Sequence, residues 1–87
     1  MKRIINGKKY DTETAIMCGE FLMSSFVSDC VEHIVLYRKT NGEYFFYRYM
    51  ESEHGFIEPT TEVKAKKWSE QFLSADEYES IFGEVSE

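Results

Sequence analysis

Four residues of the chain are cysteines or histidines, the side chains that most often bind zinc and that pair as nucleophile and base. They are Cys18, Cys30, His33 and His54. Zinc ligands usually come in close pairs, whereas these four are spread along the chain without such spacing. Cys30 and His33 are near each other in sequence, but catalysis would also need an orienting group and an oxyanion hole. We therefore interpret the cysteines as buried thiols and expect neither a metal site nor another cofactor.

Carboxylates dominate the charge of this chain. Its 87 residues include 16 acidic and 10 basic side chains, which gives a net charge of −6. A pair such as Glu51 and Glu53, on a turn or strand end, has nothing around it to hold a substrate for acid–base catalysis. Negative charge also argues against direct binding of nucleic acid, because Lys and Arg supply most of that affinity. We expect a protein that is not an enzyme and whose charged partner is basic.

The charges are also unevenly placed along the chain. Residues 1–10 carry four positive charges and no negative one, and residues 70–87 carry six negative charges and no positive one. Such acids are commonly a solvated helix start and tail. The functional interpretation is an anionic surface that imitates spaced phosphates and occupies a basic groove on another protein. The candidate partner-binding residues are Glu51, Glu53, Glu58, Glu70, Asp76, Glu77, Glu79 and Glu84.

Length and composition predict a single folded domain over residues 1–87. A hydrophobic content of 43% is too high for a disordered chain. Folding at this size buries roughly 60% of the surface, which leaves no room for a deep enzyme cleft. The longest apolar runs span only a few residues, and no signal peptide is recognisable, so we expect a cytoplasmic protein.

The element that organises this domain is a predicted hairpin over residues 33–50. Two runs of β-branched and aromatic residues flank Asn41 and Gly42, which predicts a two-residue type I′ turn. Leu36 then faces Tyr47 across the strands. The face assigned to the core carries Ile34, Leu36, Arg38, Phe45, Tyr47 and Tyr49. The face left to solvent or a partner carries Val35, Tyr37, Lys39, Tyr44, Phe46 and Arg48.

Three further segments are predicted to add β-structure to this domain. Residues 2–5 and 8–10 flank Asn6 and Gly7, a smaller copy of the hairpin signal. Residues 13–30 are compatible with a helix or a buried strand, and we favour a strand over 13–22 followed by a loop over 24–30. A last short strand over 56–58 is closed by Pro59, which cannot continue a ladder.

Two helices are predicted at the end of the chain. A threonine after Pro59 supplies the N-cap of the first, whose apolar stripe is Ala65, Trp68 and Phe72, with Trp68 as the central core residue. Ser74 and Glu77 form a capping box for the second helix, which Gly83 ends. The predicted fold class is therefore α+β, a small antiparallel sheet built from hairpins and covered on one face by two C-terminal helices.

Three stretches of the sequence resemble a family of small acidic proteins from phages and mobile elements of Gram-positive bacteria. They are MKRIINGKKYDTETA at residues 1–15, LYRKTNGEYF at 36–45 and ADEYESIFG at 75–83. Residues 16–32 depart from the pattern. Several members are anti-CRISPR proteins, and no catalytic residues carry over from the family.

The resemblance implies an inhibitor that binds a CRISPR effector in the host bacterial cell. Its acids would block entry of target DNA where basic side chains of the effector read the short PAM motif. The alternative is a mobile-element accessory protein, also not an enzyme, that binds another host protein through Tyr37, Tyr44 and Phe46 on the sheet. The same three aromatics beside Arg48 are typical of base-stacking sheets, but the net charge of −6 argues against that role.

Overall fold

The structure, a computed structural model, describes residues 1–24, 31–50 and 53–86, without the side chains of residues 53 and 54. Its elements are β1 (Lys2–Ile5), β2 (Lys8–Asp11), β3 (Ile16–Ser24), β4 (Val31–Arg38), β5 (Tyr44–Met50), β6 (Glu53–Thr60), α1 (Glu62–Phe72) and α2 (Ala75–Phe82). One sheet pairs β1 with β2, and an antiparallel sheet has the order β3-β4-β5-β6. The predicted α+β class is confirmed.

The small hairpin has the predicted turn. Ile5 pairs with Lys8, and Asn6 and Gly7 have φ angles of 53° and 75°. Positive φ at both central residues defines the type I′ turn, whose twist matches that of the flanking strands. β1 and β2 do not join the larger sheet. They lie against it through Tyr10, whose ring meets Phe45 edge to face at 5.5 Å.

The turn of the central hairpin differs from the predicted two-residue turn. Lys39 N–H donates to Glu43 O at 2.7 Å and Gly42 N–H donates to Lys39 O at 2.9 Å, so the loop has three residues, Thr40, Asn41 and Gly42. Of these only Gly42 has a positive φ, at 90°. This is a type I turn followed by a left-handed glycine. The type I′ prediction was therefore wrong at this position.

The longer loop shifts the register by one residue and turns β5 over. Leu36 pairs with Phe46 instead of Tyr47. Because side chains alternate across a strand, a shift of one residue exchanges the two faces of β5. Phe46, predicted to face solvent or a partner, is 4% exposed beneath the helices, and Tyr44 is buried with it. The face predicted to lie under the helices was correct for β4 and wrong for β5, although Phe45 is buried in the core on the opposite face.

Both faces of the larger sheet are consequently covered, each by a different part of the chain. The helices cover a cluster of Ile34, Leu36, Tyr44, Phe46 and Ala65. On the other face Phe45 and Ile57 form a second cluster with Tyr10 of the small hairpin. The prediction had only one covered face. The sheet has a second core on its other face, which the β1–β2 hairpin covers.

The first helix begins where the sequence indicates, but its central residue differs. Thr61 is the N-cap, and its hydroxyl accepts from Lys64 N–H at 3.2 Å. Ala65 and Ser69 are fully buried, whereas Trp68 is half-buried beside them, with its ring edge-on to Phe46 at 5.1 Å. Two small residues allow the helix to approach the sheet closely, so the indole lies at the margin of the core instead of its centre.

The second helix has the predicted caps. Ser74 and Glu77 form the capping box, and Gly83 follows the last turn with a φ of 94°. Ile81 and Phe82 pack against the core cluster beneath the helices. The ring of Phe82 lies 5.7 Å from that of Tyr44. This packing attaches α2 to the end of β5 nearest the central turn.

The ambiguous segment after the small hairpin is a strand, as favoured. β3 begins at Ile16 and extends to Ser24, beyond the predicted end, with a bulge between Met17 and Gly19. Gly19 is buried, and a Cβ at this position would lie 2.8 Å from Leu73 Cδ1. A glycine therefore allows the end of α1 to pack on β3. Most of the predicted loop over 24–30 lies outside the described residues.

The last strand is longer than predicted. β6 spans eight residues and includes Pro59, which pairs with Phe45 instead of ending the strand. β6 lies at an edge of the sheet, where a residue without an N–H group is tolerated.

Neither described helix is long and apolar enough to span a membrane.

Candidate partner-binding surfaces

The outer side of α2 and the residues beside it form the first surface. Ile81 and Phe82 pack against the core, so helical periodicity places Asp76 on the opposite side of α2, with Glu77 and Glu79 on its flanks. We call this the acidic helical surface and define it by Glu70, Asp76, Glu77, Glu79 and Glu84. Glu70, Asp76 and Glu84 are exposed and make no ion pair with any residue that the structure describes.

Two acids of this surface also hold the ends of α2. Glu77 Oε1 accepts from Ser74 N–H at 3.2 Å and from the Ser74 hydroxyl at 3.0 Å. Glu79 is half-buried, and its Oε2 accepts from Val85 N–H at 3.3 Å. Replacing either residue would therefore disturb the helix as well as the charge. The acids most available to a partner are Glu70, Asp76 and Glu84.

The predicted acids near β6 are in a different situation. Glu58 Oε2 accepts from Arg48 Nε at 3.2 Å, and Glu32 Oε1 accepts from Arg48 Nη1 at 3.2 Å. One guanidinium therefore links the side chains of three neighbouring strands and compensates the charge of Glu58. The side chains of Glu51 and Glu53 lie outside the described residues. The structure thus brings Glu58 to Arg48, not to the acidic helical surface.

An open cleft between the small hairpin and the central turn is a site that sequence reasoning missed. Its volume is about 560 Å³, and it is lined by Lys8, Lys9, Asp11, Thr14, Lys39, Thr40, Asn41 and Glu43. Glu43 accepts hydrogen bonds from Lys8 at 2.7 Å, Lys39 at 3.0 Å and the Asn41 amide at 2.8 Å. The signal available in the sequence was the run of positive charge in residues 1–10, which needs a counter-charge when the hairpin packs.

The electrostatics of this cleft follow from the shared carboxylate. Hydrogen bonds from Lys8, Asn41 and Lys39 lower the pKa of Glu43 to about 2. The hydrogen bond to Glu43 in turn raises the pKa of Lys8. Lys39 Nζ also lies 4.4 Å from the centre of the Tyr10 ring, a cation–π distance. The cluster fastens β1–β2 to the central turn, and its lining includes no cysteine, serine or histidine nucleophile.

Aromatic rings form a row on the face of the sheet opposite the helices. His33 stacks on Tyr49 at 4.5 Å, and Tyr49 stacks on Tyr47 at 5.1 Å. His33 Nδ1 also lies 3.2 Å from Glu20 Oε1. This is a different set from the predicted aromatic surface. That surface combined Tyr37 with Tyr44 and Phe46, and the last two are buried under the helices.

The potential metal ligands do not converge in the part of the chain that the structure describes. No group of three His, Cys, Asp or Glu side chains there is placed to hold a metal ion. Cys18 is a half-buried free thiol, and burial raises its pKa, which disfavours the thiolate. Cys30 and the side chain of His54, the other residues considered as possible ligands, lie outside the described residues.

No protein-family model, curated protein or solved structure matches the chain.

Proposed function

We propose that the protein is an inhibitor without enzymatic activity that occupies the basic nucleic-acid groove of another protein, and that its target is a CRISPR effector in the bacterial cytoplasm. The observation that carries this proposal is the acidic helical surface. Glu70 of α1, Asp76 of α2 and Glu84 after α2 are exposed and make no ion pair among the described residues, and Ile81 and Phe82 hold α2 on the core. The resemblance of residues 1–15, 36–45 and 75–83 to a family with anti-CRISPR members supplies the choice of target.

The mechanism follows from charge complementarity. A CRISPR effector reads its PAM with arginine side chains and holds nucleic acid in a positively charged channel. Exposed carboxylates on a folded protein present negative charge to the same channel, as DNA phosphates do, but carry no bases for the effector to read. Each exposed ion pair contributes only about 0–1 kcal/mol, so affinity must come from several acids together. The complementary fields also raise the rate of association and orient the encounter.

A pair of charge reversals tests the assignment. The variant Asp76→Lys with Glu84→Lys changes two exposed acids of the acidic helical surface and spares the capping box. The control is Glu13→Lys with Glu20→Lys, which makes the same change of net charge with exposed acids of the β2–β3 turn and of β3 and removes the Glu20 contact with His33. Circular dichroism checks that both variants are folded. The measurement is protection of a target plasmid in cells that carry one of a panel of CRISPR effectors. The effectors that the wild-type protein inhibits are then tested for direct binding to it.

We expect the wild-type protein and the control to protect the plasmid and bind the same effector, and the test variant to lose both properties. Loss of function in both variants would indicate a dependence on net charge alone. Full function in the test variant would contradict the acidic helical surface as the contact. Absence of protection by the wild-type protein against every effector would refute the proposed target.

The alternative, an accessory protein that binds through the aromatic sheet face, has lost most of its predicted surface. Tyr44 and Phe46 are 7% and 4% exposed. Two of its three aromatic side chains are thus unavailable to a partner.

A further inference from the structure

The two edge strands of the larger sheet differ in how readily they can pair with a further strand. β3 and β6 are the outer strands. β6 carries Pro59 and the charged Glu58, and prolines and charges on an edge strand hinder further pairing. β3 has nine residues, and Glu20 is its only charged one. Among the described residues only β4 pairs with β3, so its outer row of backbone groups faces away from the sheet.

The side chains of β3 are unusually apolar for an edge. Ile16, Met17, Leu22 and Met23 are between 41% and 59% exposed. Their cross-strand partners place them on both faces: Leu22 pairs with His33 on the outer face, and Met23 pairs with Glu32 on the helix face. A protein surface laid on one face would cover only half of them. A strand added at the edge would cover both sets and pair the free backbone groups.

We propose that β3 pairs antiparallel with β3 of a second copy of this chain, so that two four-stranded sheets join into one. A second copy is the partner because the sequence of the strand is self-complementary. With Leu22 opposite Leu22 of the second copy, Phe21 faces Met23 and Glu20 faces Ser24. Apolar residues meet apolar residues, and each carboxylate faces a hydroxyl. The contact is isologous, as in most homodimers.

Other antiparallel registers are less favourable. Centring the pair on Glu20 would align more of the strand, but it would place two carboxylates directly opposite each other, which destabilises a sheet. It would also extend the ladder into the bulge between Met17 and Gly19. The bulge and Glu20 therefore limit pairing to the half of the strand that ends at Ser24. This half carries Leu22 and Met23.

The dimer would place both helical layers on the same side of the joined sheet, because its two-fold axis is perpendicular to the sheet. The acidic helical surfaces of the two copies would then face the same direction. The inference goes beyond the proposed function and does not rest on it, since self-association is measured without any effector.

Sedimentation equilibrium over a wide range of protein concentration, under reducing conditions, tests the inference. We expect the wild-type mass to rise from that of one chain toward that of two. Leu22→Lys should remain a monomer throughout. The control Phe56→Lys changes a residue of β6 that is equally exposed, at 54%, and should associate like the wild type. Circular dichroism checks that each variant is folded.

A wild-type protein that stays monomeric at every concentration would overturn the proposal. So would unchanged association of the folded Leu22→Lys protein, or equal loss of association in both variants.

Cross-linking tests the register. In a chain with Cys18→Ser and Cys30→Ser, Leu22→Cys places two thiols opposite each other across the two-fold axis. Directly opposed residues of antiparallel strands have Cα atoms about 4.5–5.5 Å apart, which suits a disulfide. We expect mild oxidation to yield a covalent dimer with Leu22→Cys and not with Phe56→Cys in the same background. Equal yields would refute this register.

Discussion

At the scale of single residues, Glu43 explains why the central turn is longer than its Asn-Gly pair predicts. Its carbonyl accepts from Lys39 N–H, and its N–H donates to the Asn41 side chain at 3.0 Å. Its carboxylate binds Lys39 and Lys8. A two-residue loop would pair Glu43 with Thr40 instead. The side chain that closes the longer loop thus determines which face of β5 enters the core under the helices.

Replacing Gly42 by valine tests this turn. Gly42 has a φ of 90°, and a Cβ there would meet no atom within 4 Å, so the cost comes from backbone conformation alone. Left-handed backbone costs an L-residue about 1–2 kcal/mol, and we expect a loss of free energy of unfolding of that size. The measurement is urea denaturation.

Thr40→Val is the control, since Thr40 lies in the same loop, is exposed and has no positive φ. It should unfold at nearly the wild-type urea concentration. Equal stability of the two variants would contradict a left-handed Gly42.

At the scale of elements, local signals predicted the helices and the small hairpin well. The caps Thr61 and Ser74 are short-range features, in which a side chain bonds to a backbone group three residues away. The strand predicted over 13–22 was also identified, although the structure places both its start, at Ile16, and its end, at Ser24, differently. Local chemistry determines such features, so the sequence was sufficient to place them.

Features that depend on distant residues could not be predicted in the same way. The register of β4 and β5 follows from the three-residue loop that Glu43 closes, and Glu43 also contacts Lys8, 35 positions away. The burial of Tyr44 and Phe46 follows from that register. The candidate acids of α2 were identifiable because they flank a recognisable helix. The compensation of Glu58 by Arg48 was not, because it requires the correct pairing of β5 with β6.

The Glu43 cluster should make stability depend on pH. The folded pKa of Glu43, about 2, lies below its ordinary 4.5. Its contribution is therefore fully present above pH 4.5 and is lost as the pH falls toward 2. The raised pKa of Lys8 means that its contribution is present below its ordinary 10.5 and is lost as the pH rises past the folded value. The cluster stabilises the fold mainly between these limits.

We expect Glu43→Gln to be less stable than the wild type at neutral pH and to lose less stability between pH 4.5 and 2. The measurement is the free energy of unfolding at a series of pH values. Glu13→Gln is the control, because Glu13 is exposed and its side chain makes no ion pair with a described residue. If the acid limbs of the Glu43→Gln and wild-type curves were parallel, the carboxylate would not be paired in solution.

At the scale of the whole molecule, the charges are separated along the chain and differ in availability. Of the four positive residues at its start, Lys8 is paired with Glu43 in the cleft, which Lys9 also lines. The acids Glu70, Asp76 and Glu84 near its end have no such partners among the described residues. A basic groove would therefore meet carboxylates that no described ion pair compensates, with Lys66 of α1 the nearby cation, 5.6 Å from the Phe82 ring of α2. The arrangement favours association through long-range attraction, which depends on ionic strength.

This dependence gives the last prediction, which concerns how the acids act together. Glu70→Gln, Asp76→Asn and Glu84→Gln should each weaken binding to the effector only slightly, since an exposed pair contributes about 0–1 kcal/mol. The triple variant should bind much more weakly, and its affinity should fall less steeply with added salt than that of the wild type, because fewer charges are left to screen. Titrations at several salt concentrations measure both quantities. A triple variant with the wild-type salt dependence would show that other residues carry the electrostatic contact.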